Sequence, residues 1–256
     1  MDSFYVELVK LYERNGFEVQ SSLSPAHFPG FNLADIPFTY ILKRGKRMCK
    51  GGGLSIVELM FLQCITSIVK PKNIFVIGNA FGWTTLALGL MSERSRVLAI
   101  DMCPRPEEEL GIKITNDLGK QITAEIKAIK GKSPDDVPRV IRDNFEDGID
   151  LVLIDGGHNS VQQSVDFDVC KKFANEQCIY VFHDVINFNM VDSFVEIAKS
   201  NPSLVSSLLF RTPSGMAISY PKALYENLNA TVNAFTEKDD TVKKLHAQGK
   251  QKRKLI

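Results

Sequence analysis

The sequence predicts an α/β fold: a doubly wound, mainly parallel sheet with helices on both faces. Short apolar runs alternate with helix-length stretches between residues 73 and 200, the rhythm of parallel strands joined by crossover helices. Runs such as NIFVIG and DLVLID are apolar at consecutive positions, as strands covered on both faces are. Several runs end in glycine, acid or imidazole, at the point where ligands bind in this fold class.

In chain order, Asp2 to about Asn15 carries Phe4, Leu8, Leu11 and Tyr12 at helical spacing. The proline- and serine-rich SSLSPAHFPGFNLADIPF should be an irregular loop. Its aromatics Phe28, Phe31 and Phe38, with Tyr40 beyond, are candidates for a wall of a site or for core. Gly51, Gly52 and Gly53 form a flexible run, suited to a gate, before LSIVELMFLQCITSIV (54 to 69), which is apolar nearly all round and reads as a buried helix.

NIFVIG (73 to 78) is a strand, WTTLALGLMSE (83 to 93) a helix and RVLAID (96 to 101) a strand. PEEELGIKITNDLGKQI is a helix whose acids suit its first turn. AEIKAIKG (124 to 131) alternates as a half-exposed strand. SPDDVPRVIRDNF opens with Ser133 as N-cap and Pro134 at the first helical position. Strand DLVLID, helix SVQQSVDFDVCKKF, strand CIYVFHD and helix MVDSFVEIAKS follow, then SLLFR and GMAISYP, the last suited to an antiparallel strand. Beyond Pro221 the periodicity fades into a basic tail, KKLHAQGKQKRKLI.

The totals narrow the class of function. A chain of 256 residues with 44% hydrophobic content can bury one sizeable core. A formal charge of +1, from 31 basic and 30 acidic side chains, supplies no global field toward nucleic acid or an anionic membrane. Small molecules are the expected partners. No basic, apolar leader pattern follows Met1 and no apolar run reaches the roughly 20 residues of a membrane span, so a cytoplasmic protein is expected. Cys49, Cys64, Cys103, Cys170 and Cys178 include no CxxC pair, and neither disulfides nor zinc are expected. The apolar N-terminal helix offers a contact for a homo-oligomer.

The strand ends carry the chemistry. Gly78-Asn79-Ala80-Phe81-Gly82 joins a strand to a helix, with glycine at both ends to let the backbone approach a ligand. It is not GxGxxG, which weakens a dinucleotide reading. Asp101 ends the next strand about 20 residues on, where a carboxylate can accept from both ribose hydroxyls. An adenosyl ligand is implied. The alternative is an ordinary tight turn with Asp101 as a cap. Asp155 and His158 at the tip of DLVLIDGGHN are either chemistry or a cap plus a surface imidazole.

VIGNAFGWTTLALG, VLAID, LIDGGHNSVQQSVDFDV and YVFHDV, in that order at strand ends, resemble the successive motifs of class I S-adenosylmethionine-dependent methyltransferases. More narrowly they are similar to the macrolide-sugar and rhamnosyl O-methyltransferase group. The resemblance covers about residues 50 to 220 and implies a Rossmann-like methyltransferase fold. Residues 1–50 would be an N-terminal helix and loop cap, 51–222 the S-adenosylmethionine-binding domain and 223–256 a C-terminal extension with a basic tail.

On that resemblance Gly78, Asn79, Ala80, Phe81 and Gly82 lie under the methionine and ribose of S-adenosylmethionine, and Asp101 binds the ribose. Gly131, Lys132 and Ser133 pass beside the adenine, where Met102 or Trp83 is either packing on the ligand or core. Asp155 and Asp184 hold a divalent cation, and His158 takes the proton of a substrate hydroxyl. His183 is a ligand, a supporting group or a core histidine. The chemistry agrees with these roles: a Mg²⁺-bound hydroxyl loses its proton more readily, carboxylates are the ligands Mg²⁺ prefers, and imidazole titrates near neutrality. Where many class I methyltransferases have an acid this chain has Val76, and where the narrower group has one it has Gly157; Glu58 is the candidate to compensate by facing the cofactor. The expected reaction is O-methylation of a sugar or related natural product; the alternatives are a non-catalytic S-adenosylmethionine-binding scaffold and a nicotinamide-dependent oxidoreductase.

Overall fold

The structure, a computed structural model, describes residues 3–21 and 38–237. Helix α1 (Phe4–Arg14) precedes a small antiparallel sheet in which β2 (Phe38–Lys43) pairs with β1 (Glu18–Ser21), β3 (Lys46–Arg47) and β4 (Gly53–Leu54). The main sheet comprises β5 (Asn73–Ile77), β6 (Arg96–Asp101), β7 (Glu125–Lys130), β8 (Ile149–Ile154), β9 (Ala174–Phe182), β10 (Leu204–Leu209) and β11 (Met216–Pro221). Helix α2 (Ile56–Val69) precedes it; α3 (Trp83–Met91), α4 (Pro106–Gly119), α5 (Val137–Arg142), α6 (Ser160–Lys171) and α7 (Val191–Ser200) connect its strands, and α8 (Tyr225–Ala234) follows.

Strand order is β10-β11-β9-β8-β5-β6-β7. The run from β9 to β7 is parallel; β11 joins β9 antiparallel, and β10 joins β11 in the same sense. Order therefore reverses between β5 and β8, and the crevice beyond their carboxyl ends is where a doubly wound sheet binds its ligand.

All of β5 is buried, and its alternate residues enter two cores. Ile74 and Val76 pack in the cluster holding side chains of α1, α2, α3 and α8, whereas Phe75 and Ile77 meet those of α5, α6 and α7. Burying both faces accounts for the unbroken apolar runs. Among the described residues, no helix is long and apolar enough to cross a membrane. The five cysteines are free thiols, Cys64 alone being exposed.

The structure departs from expectation in several places, the first being the small sheet of β1 to β4 where only a helix and a loop were expected. Helix α2 starts at Ile56 and is not buried all round: Glu58, Leu59, Phe61, Leu62, Ile65 and Thr66 face inward, while Ile56, Met60 and Ile68 remain exposed. Only one side of the helix meets α3 and α8. Ser133 is not an N-cap, because α5 starts at Val137 after a turn and the Ser133 hydroxyl binds the Asp166 carboxylate. Past Pro221 the faded periodicity conceals α8, whose Leu228 and Val232 are buried and beyond which Phe235 meets Phe61 edge-on at 5.0 Å; tertiary packing stabilises a helix this short. The glycine run is not a free gate, since Gly53 pairs with Thr39 and a Cβ on it would lie 2.3 Å from Trp83 Cδ1. Most of the predicted loop (22–37), with Phe28 and Phe31, lies outside the described residues.

Candidate active site

The loop after β5 demands its glycines. Gly78 has φ +96°, and a Cβ there would lie 2.0 Å from the Asp155 carbonyl oxygen. Gly82 has φ +82°, and a Cβ would lie 2.1 Å from Thr115 Oγ1. Asp101 fixes the loop between them: Oδ2 accepts from the amides of Asn79 (2.9 Å) and Ala80 (2.8 Å), and Oδ1 accepts from that of Cys103 (2.9 Å). A carboxylate has about four acceptor positions, so Asp101, which lines the cavity, retains capacity for a ligand hydroxyl.

Two loop side chains are anchors. The Asn79 amide donates to Thr115 Oγ1 (3.0 Å) and its Oδ1 accepts from Thr85 Oγ1 (2.9 Å). Phe81 is buried against Phe17, and its carbonyl accepts from the Tyr12 hydroxyl at 2.8 Å. Both residues also line the cavity.

The cavity encloses about 620 Å³, a small-molecule size. Met102, half exposed, and Gly131, Lys132 and Ser133 line one part of it. The Lys132 ammonium is paired with Asp135 at 3.2 Å. Trp83 resolves to core: it is 2% exposed, and its Nε1 donates to the Leu54 carbonyl at 3.0 Å. Phe38 and Tyr40 line the wall, with the Arg47 guanidinium 3.5 Å over the Tyr40 ring.

At the other end the tips of β8 and β9 bring Asp155, His158 and Asp184 together, each with a ligand atom within 4.8 Å of the others. His158 Nδ1 lies 3.8 Å from Asp184 Oδ2, and its ring stacks on Phe188 at 4.3 Å. Asp184 sits at φ 58° and accepts from Asn187 Nδ2 at 3.3 Å. A non-glycine residue in the left-handed region needs such local support.

His183 is the buried hub beneath this cluster. Its Nδ1 lies 2.9 Å from Asp155 Oδ1 and 3.4 Å from Asp184 Oδ2, and its Nε2 lies 3.2 Å from Glu58 Oε2. Burial opposes its charge, but the carboxylates of Asp155 and Glu58 outweigh this and hold the imidazole protonated well above its ordinary range. Glu58 and Asp184 stay ionised below the usual carboxylate range: burial disfavours both anions, and His183 more than compensates. Asp155 is pushed up by burial, as three acids share one cation.

Contrary to expectation, Glu58 does not line the cavity. It is fully buried, with Oε2 accepting from the Ser55 amide (2.9 Å) and Oε1 from the amide (2.9 Å) and hydroxyl of Ser214. Its partners leave it no acceptor position to offer a ligand. The Asp155, His158 and Asp184 set does fit a divalent cation, for each carboxylate keeps an oxygen that His183 does not contact.

Gln162, Asp166 and Phe188 are among the cavity residues not singled out from sequence. Gln162 and Asp166 are four apart on α6, a spacing that shares one helix face. That signal was present but not diagnostic.

Fold and site define a class: the chain has the Rossmann-like methyltransferase fold, with its crevice at the β5/β8 reversal. Residues 75–185 match the family model described as a methyltransferase domain. Among similar solved structures, the O-methyltransferase from Bacillus cereus in complex with SAH is 16% identical, with 87% of this chain and 92% of that one covered and a TM-score of 0.58. TomG from Streptomyces achromogenes, an O-methyltransferase involved in tomaymycin synthesis and bound to SAM, is 12% identical over 86% and 90% of the chains, with a TM-score of 0.58. The SAH-bound methyltransferase PaMTH1 from Podospora anserina is 14% identical over 66% and 80%, with a TM-score of 0.54. No curated protein matches the chain.

Proposed function

We propose that this protein is an S-adenosylmethionine-dependent O-methyltransferase that methylates a hydroxyl of a sugar or related small natural product, with Mg²⁺ held by Asp155 and Asp184 and His158 as general base. The observation that carries this reading is the meeting of Asp155, His158 and Asp184 in the same cavity as the glycine loop and Asp101. The methyltransferase domain match supports the reaction class. The motif resemblance and the natural-product role of TomG support the acceptor class.

A bound divalent cation supplies one thing, a lowered proton affinity for a coordinated hydroxyl. The chain's own residues do the rest. His158 Nε2 or Nδ1 receives the hydroxyl proton, and the Asp184 carboxylate at 3.8 Å stabilises the imidazolium. S-adenosylmethionine held there would supply an electrophilic methyl group to that oxygen and would leave as the neutral thioether. Asp101 and the Gly78 to Gly82 loop fix the donor, and Phe38, Tyr40 and Phe188 exclude water on the acceptor side. Such positioning supplies much of the rate.

Calorimetry with S-adenosylmethionine, S-adenosylhomocysteine and NAD tests the reading. Both methyl-cycle ligands should bind and NAD should not; binding of NAD alone would overturn it in favour of an oxidoreductase.

A further inference from the structure

The cavity wall formed by β2 runs into a strongly basic hairpin. Between Phe38 and Val57 the chain has five cations, Lys43, Arg44, Lys46, Arg47 and Lys50, and no acid, although its overall formal charge is only +1. All five are exposed, and among the described residues none takes part in an ion pair. On the adjacent strand, Glu18 accepts through Oε1 from the Gly45 amide at 3.2 Å. Glu108, which shares the cavity lining with Lys50, is engaged by Arg105. The hairpin therefore presents positive charge that the protein itself does not neutralise.

Strand register divides these cations between two faces. Arg47 is paired with Leu42 and Lys46 with Lys43, so Arg47 shares a face with Leu42 and Tyr40, and Lys43 and Lys46 share the opposite one. The ring contacts agree: Lys43 Nζ lies 5.4 Å over Phe17, whereas the Arg47 guanidinium lies 3.5 Å over Tyr40. Stacking occupies the flat face of a guanidinium and leaves its N–H donors, which lie in its plane, pointing outward. Tyr40 and Lys50 both line the cavity. A fixed guanidinium and an ammonium thus stand together where the cavity meets the hairpin.

Polarity changes along the same wall. Phe38 stands 6.5 Å, ring to ring, from His183 beneath the acid cluster, Tyr40 stands 6.5 Å from Phe38, and Arg47 lies over Tyr40. One end holds carboxylates that attract a cation, and the other holds cations that attract an anion. We infer that Arg47 and Lys50 form an anion-binding subsite at the cavity mouth, which takes a phosphate or carboxylate group of the acceptor and so turns its hydroxyl toward Asp155 and His158. This rests on the proposed methyltransferase reading and narrows its acceptor to an anionic compound. The planar guanidinium suits two parallel hydrogen bonds to such a group, and Lys50 adds a point charge. Tyr40 is the positioning residue, because its ring sets the plane in which the Arg47 donors lie.

The test is calorimetric titration of the full chain, loaded with S-adenosylhomocysteine in metal-free buffer, with pyrophosphate and with malonate. At least one anion should bind, and the tighter of the two identifies the group as phosphate or carboxylate. Arg47→Ala and Lys50→Ala should each weaken that binding by roughly threefold to fivefold, and added salt should weaken it in the unmodified protein. Tyr40→Leu should reproduce part of the Arg47→Ala loss, whereas Tyr40→Phe, which keeps the stacking face, should not. Lys46→Ala decides between a built subsite and a general field: it removes the same charge from the opposite face and should leave affinity unchanged. An equal loss in Lys46→Ala, or no binding of either anion, would overturn the inference and leave the methyltransferase reading in place. A single-stranded RNA oligonucleotide that binds more tightly than either anion and is weakened by Lys46→Ala would reassign the hairpin to nucleic acid. Failure of S-adenosylhomocysteine itself to bind would overturn the methyltransferase reading, and with it the acceptor role of the subsite.

Discussion

Glu58 Oε2 lies 3.2 Å from His183 Nε2, inside the protein, across 125 residues of chain. This contact joins the N-terminus of α2 to the tip of β9, and through His183 to both carboxylates proposed for the cation. Breaking a buried charge pair leaves its partner uncompensated, at a cost of about 3 kcal/mol. Glu58→Gln, which preserves shape, should lower unfolding stability by about that amount in denaturant titration. It should also reduce turnover, because His183 loses the partner that fixes its ring against Asp155. Unchanged stability would show that Ser55, Ser214 and the remaining acids suffice.

The same network predicts how stability depends on pH. An unfolded imidazole releases its proton near about pH 6.5, whereas folded His183, disfavoured by burial but held by Asp155 and Glu58, keeps its proton well above that. Its stabilising contribution is complete below about pH 6.5 and is lost as pH rises through the folded value, because the folded state then binds more protons. Glu58 and Asp184 act in the opposite direction: burial raises them but His183 brings them below the ordinary range, so their contribution is present above about pH 4 and is lost on acidification. The melting temperature should fall on raising pH from about 7 to 9, and His183→Gln should flatten that limb. A wild-type slope retained in the variant would assign the pH effect to other groups.

Much of this was legible in the sequence. Consecutive apolar runs mark parallel strands because both faces are covered, and the strand-end residues Gly78, Asp101, Asp155 and His158 arrive in one cavity because the sheet topology brings those ends together. What was not legible depended on tertiary partners. Glu58 reads as an exposed helix charge or a ligand-facing acid until Ser214 and His183 are seen around it. Ser133 reads as an N-cap until its hydroxyl finds Asp166 on another helix. Helix α8 has too little periodicity to announce itself without α2 to pack on. Strands β1 to β4 are short, and part of what joins them lies outside the described residues.

Gly78 gives a sharp test of the proposed cofactor loop. Its φ of +96° and the 2.0 Å approach to the Asp155 carbonyl oxygen exclude any side chain. Gly78→Ala must displace backbone, at a cost of about 2 kcal/mol or more, and the strand it would push away bears Asp155. The variant should therefore lose both S-adenosylhomocysteine affinity and metal binding, read separately by calorimetry. Loss of the first with the second intact would mean the two sites move independently.

Removing the proposed metal and the proposed base should have separable effects. EDTA should abolish turnover yet leave S-adenosylhomocysteine affinity close to its initial value, and Asp184→Asn should mimic it. Full activity in EDTA would discard the cation and leave His158 acting alone. His158→Ala should cut turnover by roughly 10² to 10⁴, whereas an unaffected rate would return it to a surface imidazole.

Phe188 should tune that base without taking part in proton transfer. Its ring is 45% exposed yet stacked on His158 at 4.3 Å and 21°, which favours one plane for the imidazole. Truncation in Phe188→Ala would leave His158 attached to Asp184 only through the 3.8 Å contact. Misplacing a reacting group by about 1 Å costs up to roughly a hundredfold in rate, so kcat should fall by tenfold to a hundredfold. Cofactor affinity should stay unchanged, because the ring stacks on the proposed base His158. Phe188→Tyr, which keeps the stacking face, should restore most of the rate. If Phe188→Ala instead raises only the acceptor KM, the ring contacts substrate, and His158 is held by Asp184 alone.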